Sequence, residues 1–219
     1  MKLLILIPCY NTHKYLNKLL SLLISKTDTP ILLIDDGSSP ALNINNFKSH
    51  SINIRRNDIN RGKGYSIQLG FQYAIENNYT HVITLDGDLQ HDPNDISKFI
   101  DYDQSSDFLI GCRKFAKPMP YSRILSNTIT SNIISMLIHK KIKDSQCGYR
   151  RYKMSAISEC DFKENGYLLE SEILLNCVKK NTMINNVDIK VVYDGSPSHI
   201  KKFDDSIRFI RLVLRYLFA

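Results

Sequence analysis

Short apolar runs that stop abruptly in polar turns constrain this chain's fold more than any other feature. Leu3 to Ile7 is ended by Pro8, and Ile31 to Ile34 by Asp35-Asp36-Gly37-Ser38. Val82 to Leu85 runs into Asp86-Gly87-Asp88, and Phe108 to Ile110 into Gly111. Runs this short, without polar alternation, read as strands buried on both faces. Between them lie segments at helical spacing, with Tyr15, Leu16, Leu19, Leu20 and Leu23 in one and Ile67, Phe71 and Ala74 within Gly62 to Glu76 in another. The alternation predicts an α/β chain with a mostly parallel central sheet flanked by helices. Acidic residues fall just past the strand ends, on the edge where open α/β sheets bind ligands.

A weaker strand is expected over Ser51 to Arg55 and a short helix over Asn94 to Tyr102. A long amphipathic helix is expected from about Ser122, carrying Ile124, Leu125, Ile129, Ile133, Met136 and Leu137. Asp144 to Arg151 reads as a polar, Gly-containing insertion, Leu168 to Val178 as a helix, and Val187 to Tyr193 as a strand. Asp194 to Ser198 reads as a Gly/Pro turn or mobile loop. The 219 residues suit one domain, 1–204, followed by a basic amphipathic helix at 205–219. In that helix Arg208, Arg211 and Arg215 sit beside Ile207, Ile210, Leu214 and Leu217, a pattern suited to an anionic membrane surface.

Charge and cysteine usage narrow the class. A formal charge of +7 favours phosphate-bearing partners without specifying a nucleic acid. Five cysteines without a CxxC pair read as reduced thiols. The first apolar run is too short for a leader, and no run approaches the roughly 18 residues that cross a bilayer. A cytoplasmic protein, peripheral on the cytoplasmic membrane face, is the expectation.

Asp86-Gly87-Asp88 is the sharpest chemical feature. Two carboxylates flanking a glycine straight after a buried strand can address one hard divalent cation. Gln90 offers a neutral oxygen to the same shell, with His91 or Asp92 placed to orient it; an ordinary acidic turn is the alternative. At the second acidic edge, Asp36 can accept from a base N–H or a ribose hydroxyl, or simply cap the turn. Asn60-Arg61-Gly62-Lys63-Gly64 combines exposed N–H groups with positive charge at a helix start, which suits a phosphate. Its spacing is not that of a P-loop, and no GxGxxG follows the first strand, which disfavours P-loop kinases and simple NAD enzymes.

Taken in order, these motifs resemble the inverting family 2 glycosyltransferases of the GT-A fold, especially the polyprenyl-phosphate (dolichol-phosphate-like) sugar transferases. Pro8-Cys9-Tyr10-Asn11, Asp35-Asp36-Gly37-Ser38, Asn60 to Gly64, Asp86 to His91, Gly111-Cys112-Arg113 and Asp144 to Arg150 carry the resemblance. It implies a nucleotide-diphosphate sugar donor and Mg²⁺ or Mn²⁺. Pro8, Tyr10 and Lys63 would line the nucleotide site, with Asp36 near the base or ribose and Asp86 toward the donor sugar. Asp88 would be the chief metal ligand, assisted by Gln90 and Asp86.

The acceptor depends on whether a base is needed. A lipid phosphate already carries a nucleophilic oxygen, whereas a carbohydrate hydroxyl needs a carboxylate to take its proton. Arg113, Arg123 and Arg150 are candidates for an acceptor phosphate, since the guanidinium fork pairs well with oxyanions. Arg113 follows Gly111-Cys112 where the resembled enzymes have Gly-Ser. Glu172, in Glu170-Ser171-Glu172, is the candidate base for an alcohol acceptor. His199 stands where those enzymes carry a lysine after Ser198 and is a candidate diphosphate contact. The leading expectation is transfer to polyprenyl phosphate. Transfer to a carbohydrate hydroxyl, nucleotidyl transfer and an inactive α/β interaction domain are the alternatives.

Overall fold

The computed structural model describes residues 1–47, 50–113, 121–191 and 202–218, without the side chains of residues 122–123 and 202–205. In chain order the elements are β1 (Leu3–Cys9), α1 (His13–Ile24), β2 (Ile31–Asp35), β3 (Ile52–Arg56), α2 (Lys63–Glu76), β4 (His81–Thr84) and α3 (Ile96–Ile100). There follow β5 (Phe108–Arg113), α4 (Tyr121–Ile138), β6 (Arg150–Lys153), α5 (Met154–Ile157), α6 (Leu169–Cys177), β7 (Ile184–Ile189) and α7 (Lys202–Leu217). The strands form one sheet in the order β3-β2-β1-β4-β6-β5-β7. Among these strands the two pairings made by β6 are antiparallel and the others parallel.

Alternation along β1 shows how the sheet is covered on both faces. Leu3, Ile5 and Ile7 pack with Leu16, Leu19, Leu20 and Leu23 of α1. Leu4 and Leu6 point the other way, onto Ile67, Phe71 and Ala74 of α2. With both faces dry, a central strand must be apolar throughout, which is why the runs carry no polar alternation. A third cluster gathers Ile134 and Ile138 of α4, Leu174 and Leu175 of α6, and Phe209 and Leu212 of α7.

Three expectations change. The insertion Asp144 to Arg151 ends in a strand: β6 is Arg-Arg-Tyr-Lys, without an apolar pattern to announce it. Arg150 and Arg151 are nonetheless buried at 0% and 1% exposure, because their guanidinium groups donate to backbone carbonyls. β7 starts three residues before Val187, hidden by the polar Asn185-Asn186 pair, whose side chains bond Ser106 and the Lys141 carbonyl. The helix expected at Asn94 to Tyr102 is a 3₁₀ turn over Pro93–Asp95 followed by the short α3. The turn expected at residues 194–198 lies outside the described residues.

Two helices keep an apolar row in solvent. On α7, Phe209 and Leu212 are buried while Ile210, Leu214, Leu217 and Phe218 are exposed. On α4, Tyr121, Leu125, Ile129 and Met136 are exposed. No helix among the described residues is long and apolar enough to cross a membrane.

Candidate active site

From β1 the chain builds outward to β2 and β3, then crosses through α2 to place β4 on the other side of β1. The reversal opens a crevice at the C-terminal ends of β1 and β4, the usual ligand position in such sheets. Pro8 and the half-exposed Tyr10 lie at the end of β1, Asp35 and Asp36 at the end of β2, and Asp86 and Asp88 just past β4. Running antiparallel, β6 brings its beginning to the same edge, where the Gly148 carbonyl accepts from the Thr84 hydroxyl at 2.8 Å.

Lys63, at the first turn of α2, is the centre of the cluster. Its ammonium lies 2.6 Å from Asp86 and 2.7 Å from Glu170, which α6 delivers from the far side. The Glu170 contact is an ion pair without hydrogen-bond alignment, and both Glu170 oxygens are buried. Burial would lower the Lys63 pKa, but Asp86 and then Glu170 outweigh it and hold the ammonium charged. Burial likewise opposes ionisation of Asp86; Lys63 and other nearby positive groups win and bring it down to about 2. Gly148 makes this proximity possible, since a Cβ there would sit 2.6 Å from the Lys63 ammonium and 2.9 Å from each Asp86 oxygen.

Asp36 organises the turn that leads to Lys63. It accepts from the Asn57 amide at 2.7 Å, the Arg61 N–H at 3.0 Å and the Gly62 N–H at 2.8 Å. Three donors leave such a carboxylate little capacity for a base or ribose, so its shown work is to tie β2 to this turn. Gly62 has φ +102°, a conformation that favours glycine, and the turn packs against the Asn165 carbonyl. Asp35 is fully buried and accepts from the Ser38 and Leu42 N–H groups and from Arg56.

Asp88 is less compensated. One oxygen accepts the Gln90 N–H at 3.0 Å, and burial together with the Asp86 charge pushes its pKa up to about 6. Neighbouring His91 is buried, with its pKa lowered to about 4 chiefly by burial, so it is neutral. Its Nδ1 has no hydrogen-bond partner and lies 3.9 Å from Asp86. Asp86, Asp88 and Glu170 against Lys63 leave a surplus of two negative charges. Among the described residues no three His, Cys, Asp or Glu side chains form a complete metal cage. A carboxylate pair with a negative surplus nevertheless fits a hard divalent cation that takes its remaining ligands from water and substrate phosphates.

The remaining expected residues separate. Arg113, at the end of β5, donates to Asp144 at 2.7 and 2.9 Å, and its charge also reaches Asp86. Arg150 is not placed for an acceptor: it is fully buried and donates to the carbonyls of Cys147, Ser145 and Glu170. Nor is Glu172 placed as a base. At 1% side-chain exposure it accepts from the Lys163 and Glu164 N–H groups and pairs with Arg215 at 2.7 Å. The Arg123 side chain and His199 lie outside the described residues. Sequence reasoning missed Glu170 and Gly148; the Glu at the start of α6 and the Gly between Cys147 and Tyr149 were visible, but not what faced them.

Beyond Arg113 opens a groove of about 700 Å³, floored by Cys112 and Ser131 and rimmed by His139, Lys140, Lys141 and Lys143. It is lined by α4, by residues 139–143 and by the ends of β5 and β7, with basic groups at its edge.

Residues 4–165 match the family model described as Glycosyl transferase family 2. An uncharacterized protein of Methanocaldococcus jannaschii is 33% identical over 97% of this chain and 98% of its own. The UDP-N-acetylglucosamine–dolichyl-phosphate N-acetylglucosaminyltransferase of Methanococcus voltae is 27% identical over 86% of this chain and 85% of its own. Among solved structures, glucosyl-3-phosphoglycerate synthase from Mycobacterium tuberculosis superposes with a TM-score of 0.74 at 11% identity, covering 98% of this chain and 79% of that one. The shared architecture is the GT-A fold.

Proposed function

The chain belongs to glycosyl transferase family 2, and we propose that it moves a sugar, with inversion, from a nucleotide-diphosphate sugar to a phosphate-bearing acceptor. The observation that carries this reading is the cluster of Lys63, Asp86, Asp88 and Glu170 at the crevice between β1 and β4. The nucleotide would enter past Pro8 and Tyr10, and the diphosphate would lie over the turn at Arg61 to Gly64. Asp88 would hold Mg²⁺ or Mn²⁺, which supplies charge neutralisation to the departing nucleoside diphosphate. The structural neighbour has been solved with Mn²⁺ and UDP, in keeping with that requirement. Lys63 would fix Asp86 toward the donor, and partial burial of both groups between α2 and α6 makes their pairing stronger than it would be in bulk water.

Polyprenyl phosphate is the acceptor favoured here. With Glu172 held by backbone N–H groups and Arg215, it is not available to deprotonate an alcohol, and a phosphate oxygen needs no such help. Arg113 would contact the acceptor phosphate, with Arg123 beside it. The Methanococcus voltae relative is named for a dolichyl-phosphate reaction, which supports the same choice. The exposed apolar rows on α4 and α7, with Arg208 and Arg211 on the surface, would rest on an anionic bilayer and meet the lipid there. A carbohydrate hydroxyl is the second reading. It draws on the fold neighbour, whose complexes contain phosphoglyceric acid, and on the buried Glu170 as an alternative proton acceptor.

A mass-resolved screen of nucleotide sugars against prenyl phosphates, phosphoglycerate and free sugars tests the proposal. Transfer to prenyl phosphate with release of a nucleoside diphosphate is expected, and Asp88→Asn should lose it while remaining folded. Release of pyrophosphate would indicate nucleotidyl transfer. Transfer to hydroxyl acceptors alone would overturn the lipid-phosphate choice.

A further inference from the structure

Arg215 projects from α7 into the body of the protein, where it meets two glutamates. Its Nη2 donates to Glu172 at 2.7 Å and to Glu164 at 3.1 Å. Glu172 is the more consequential partner because it is almost fully buried and also accepts the N–H groups of Lys163 and Glu164 at 2.8 to 3.1 Å. One guanidinium and one carboxylate therefore anchor both the backbone and a side chain of the segment preceding α6.

That segment holds the turn at Lys63. The Asn165 carbonyl accepts the Tyr65 N–H at 3.1 Å, and the Glu164 carbonyl accepts the Gln68 amide at 3.0 Å. Contact is close enough that a Cβ on Gly62 would lie 2.3 Å from the Asn165 carbonyl oxygen. One on Gly64 would lie 2.7 Å from the carbonyl oxygens of Glu164 and Gly166. The backbone of 164–166 is thus the wall against which Gly62 and Gly64 are set, with Lys63 between them. Continuing into α6, the same stretch delivers Glu170 to the Lys63 ammonium at 2.7 Å. A continuous set of contacts joins the C-terminal helix to the proposed donor site.

We infer that Arg215 is a positioning residue for the donor site: by pinning α7 to Glu164 and Glu172, it holds the 163–166 segment and through it the Lys63 turn. The inference rests on the donor reading above and adds a condition to it. Nucleotide-sugar binding depends on how α7 is docked. Anything that lifts α7 from α6 loosens the Lys63 turn and weakens nucleotide binding. Charge-assisted pairs to a buried carboxylate are strong enough to transmit such a bias.

The test compares the intact protein with Arg215→Met, which keeps the apolar stem, and Arg215→Lys, which keeps the charge. Amide hydrogen exchange, measured without ligand, should speed up about tenfold at Tyr65, Lys163 and Glu164 in Arg215→Met while β1 and β4 stay protected. UDP or GDP titration with Mn²⁺ should weaken by a similar factor. Donor KM should rise more than kcat falls, and Arg215→Lys should restore part of both. If Arg215→Met proves poorly folded, Glu164→Gln, which weakens only the less buried of the two arms, should show the same pattern at smaller amplitude. Unchanged exchange at those three amides, or acceleration spread evenly over the sheet, overturns the inference. Failure of the unmodified protein to bind either nucleotide overturns the donor reading instead, and the ligand-free exchange result keeps the two failures distinct.

Discussion

Gly148→Ala should separate folding from catalysis. The added Cβ would lie 2.6 Å from the Lys63 ammonium and 2.9 Å from both Asp86 oxygens, whereas ordinary contact begins near 3.4 Å. The ammonium must retreat by about 0.8 Å and the carboxylate by about 0.5 Å. Movement of the ammonium alone, stretching the Lys63–Asp86 contact by about 0.8 Å, weakens it by about 1.5 kcal/mol at an effective dielectric near 20, close to a tenfold effect. Misplacement by about 1 Å at a reacting centre costs up to about 100-fold, so turnover should fall between roughly 10- and 100-fold. Stability should change far less, because the atoms that must move are the ends of flexible side chains and the backbone around Gly148 can stay where it is. A shift in Tm of no more than about 2 to 4 °C is expected, which for a chain of this size corresponds to about 1 kcal/mol. The assay is nucleoside diphosphate release with mass detection of the glycosylated product, run beside a thermal melt. Wild-type turnover in a folded Gly148→Ala protein would refute the placement of Lys63 and Asp86 at the reacting centre. A collapsed protein would refute the claim that only side-chain ends need to move.

Two further outcomes follow from buried groups. Arg150→Met should cost about 3–5 kcal/mol, read as a lower urea midpoint, because it strips donors from three buried carbonyls; an unchanged midpoint would return Arg150 to the acceptor candidates. His81 is buried with its pKa lowered to about 4, chiefly by burial, so the unfolded chain binds its proton first as pH falls. Its contribution is present above about pH 6.5 and is lost progressively as the pH drops toward 4. The acid-side slope in chemical denaturation should therefore flatten in His81→Gln, and an identical slope would refute the assignment.

How much of this was legible in the sequence varies with the physics of each element. β1, β2 and β4 are dry on both faces, so their composition alone identified them, and the acidic residues that end β2 and β4 marked the ligand edge. The family resemblance drawn from those turns agrees with the family model and with the relatives. By contrast, β6 is satisfied by guanidinium-to-carbonyl bonds, which leave no apolar period to read. Glu170 and Glu172 look equivalent as letters. Only the helix register of α6, which turns one toward Lys63 and the other toward Arg215, assigns them different work. Long-range partners such as Gly148 for Lys63, or Arg215 for Glu172, exist only once the sheet order is known.

The surplus of negative charge around Asp88 runs against the sign of the whole molecule, which carries +7. Far from the surface a polyphosphate feels attraction, whereas within the last few ångströms it meets repulsion that the intervening solvent no longer hides. Bare nucleotides would gather nearby yet be turned back at the threshold, and those already escorted by a cation would be admitted. If Asp88 holds the cation proposed above, two opposed fields acting at different ranges would act as a filter for the complexed form of the donor.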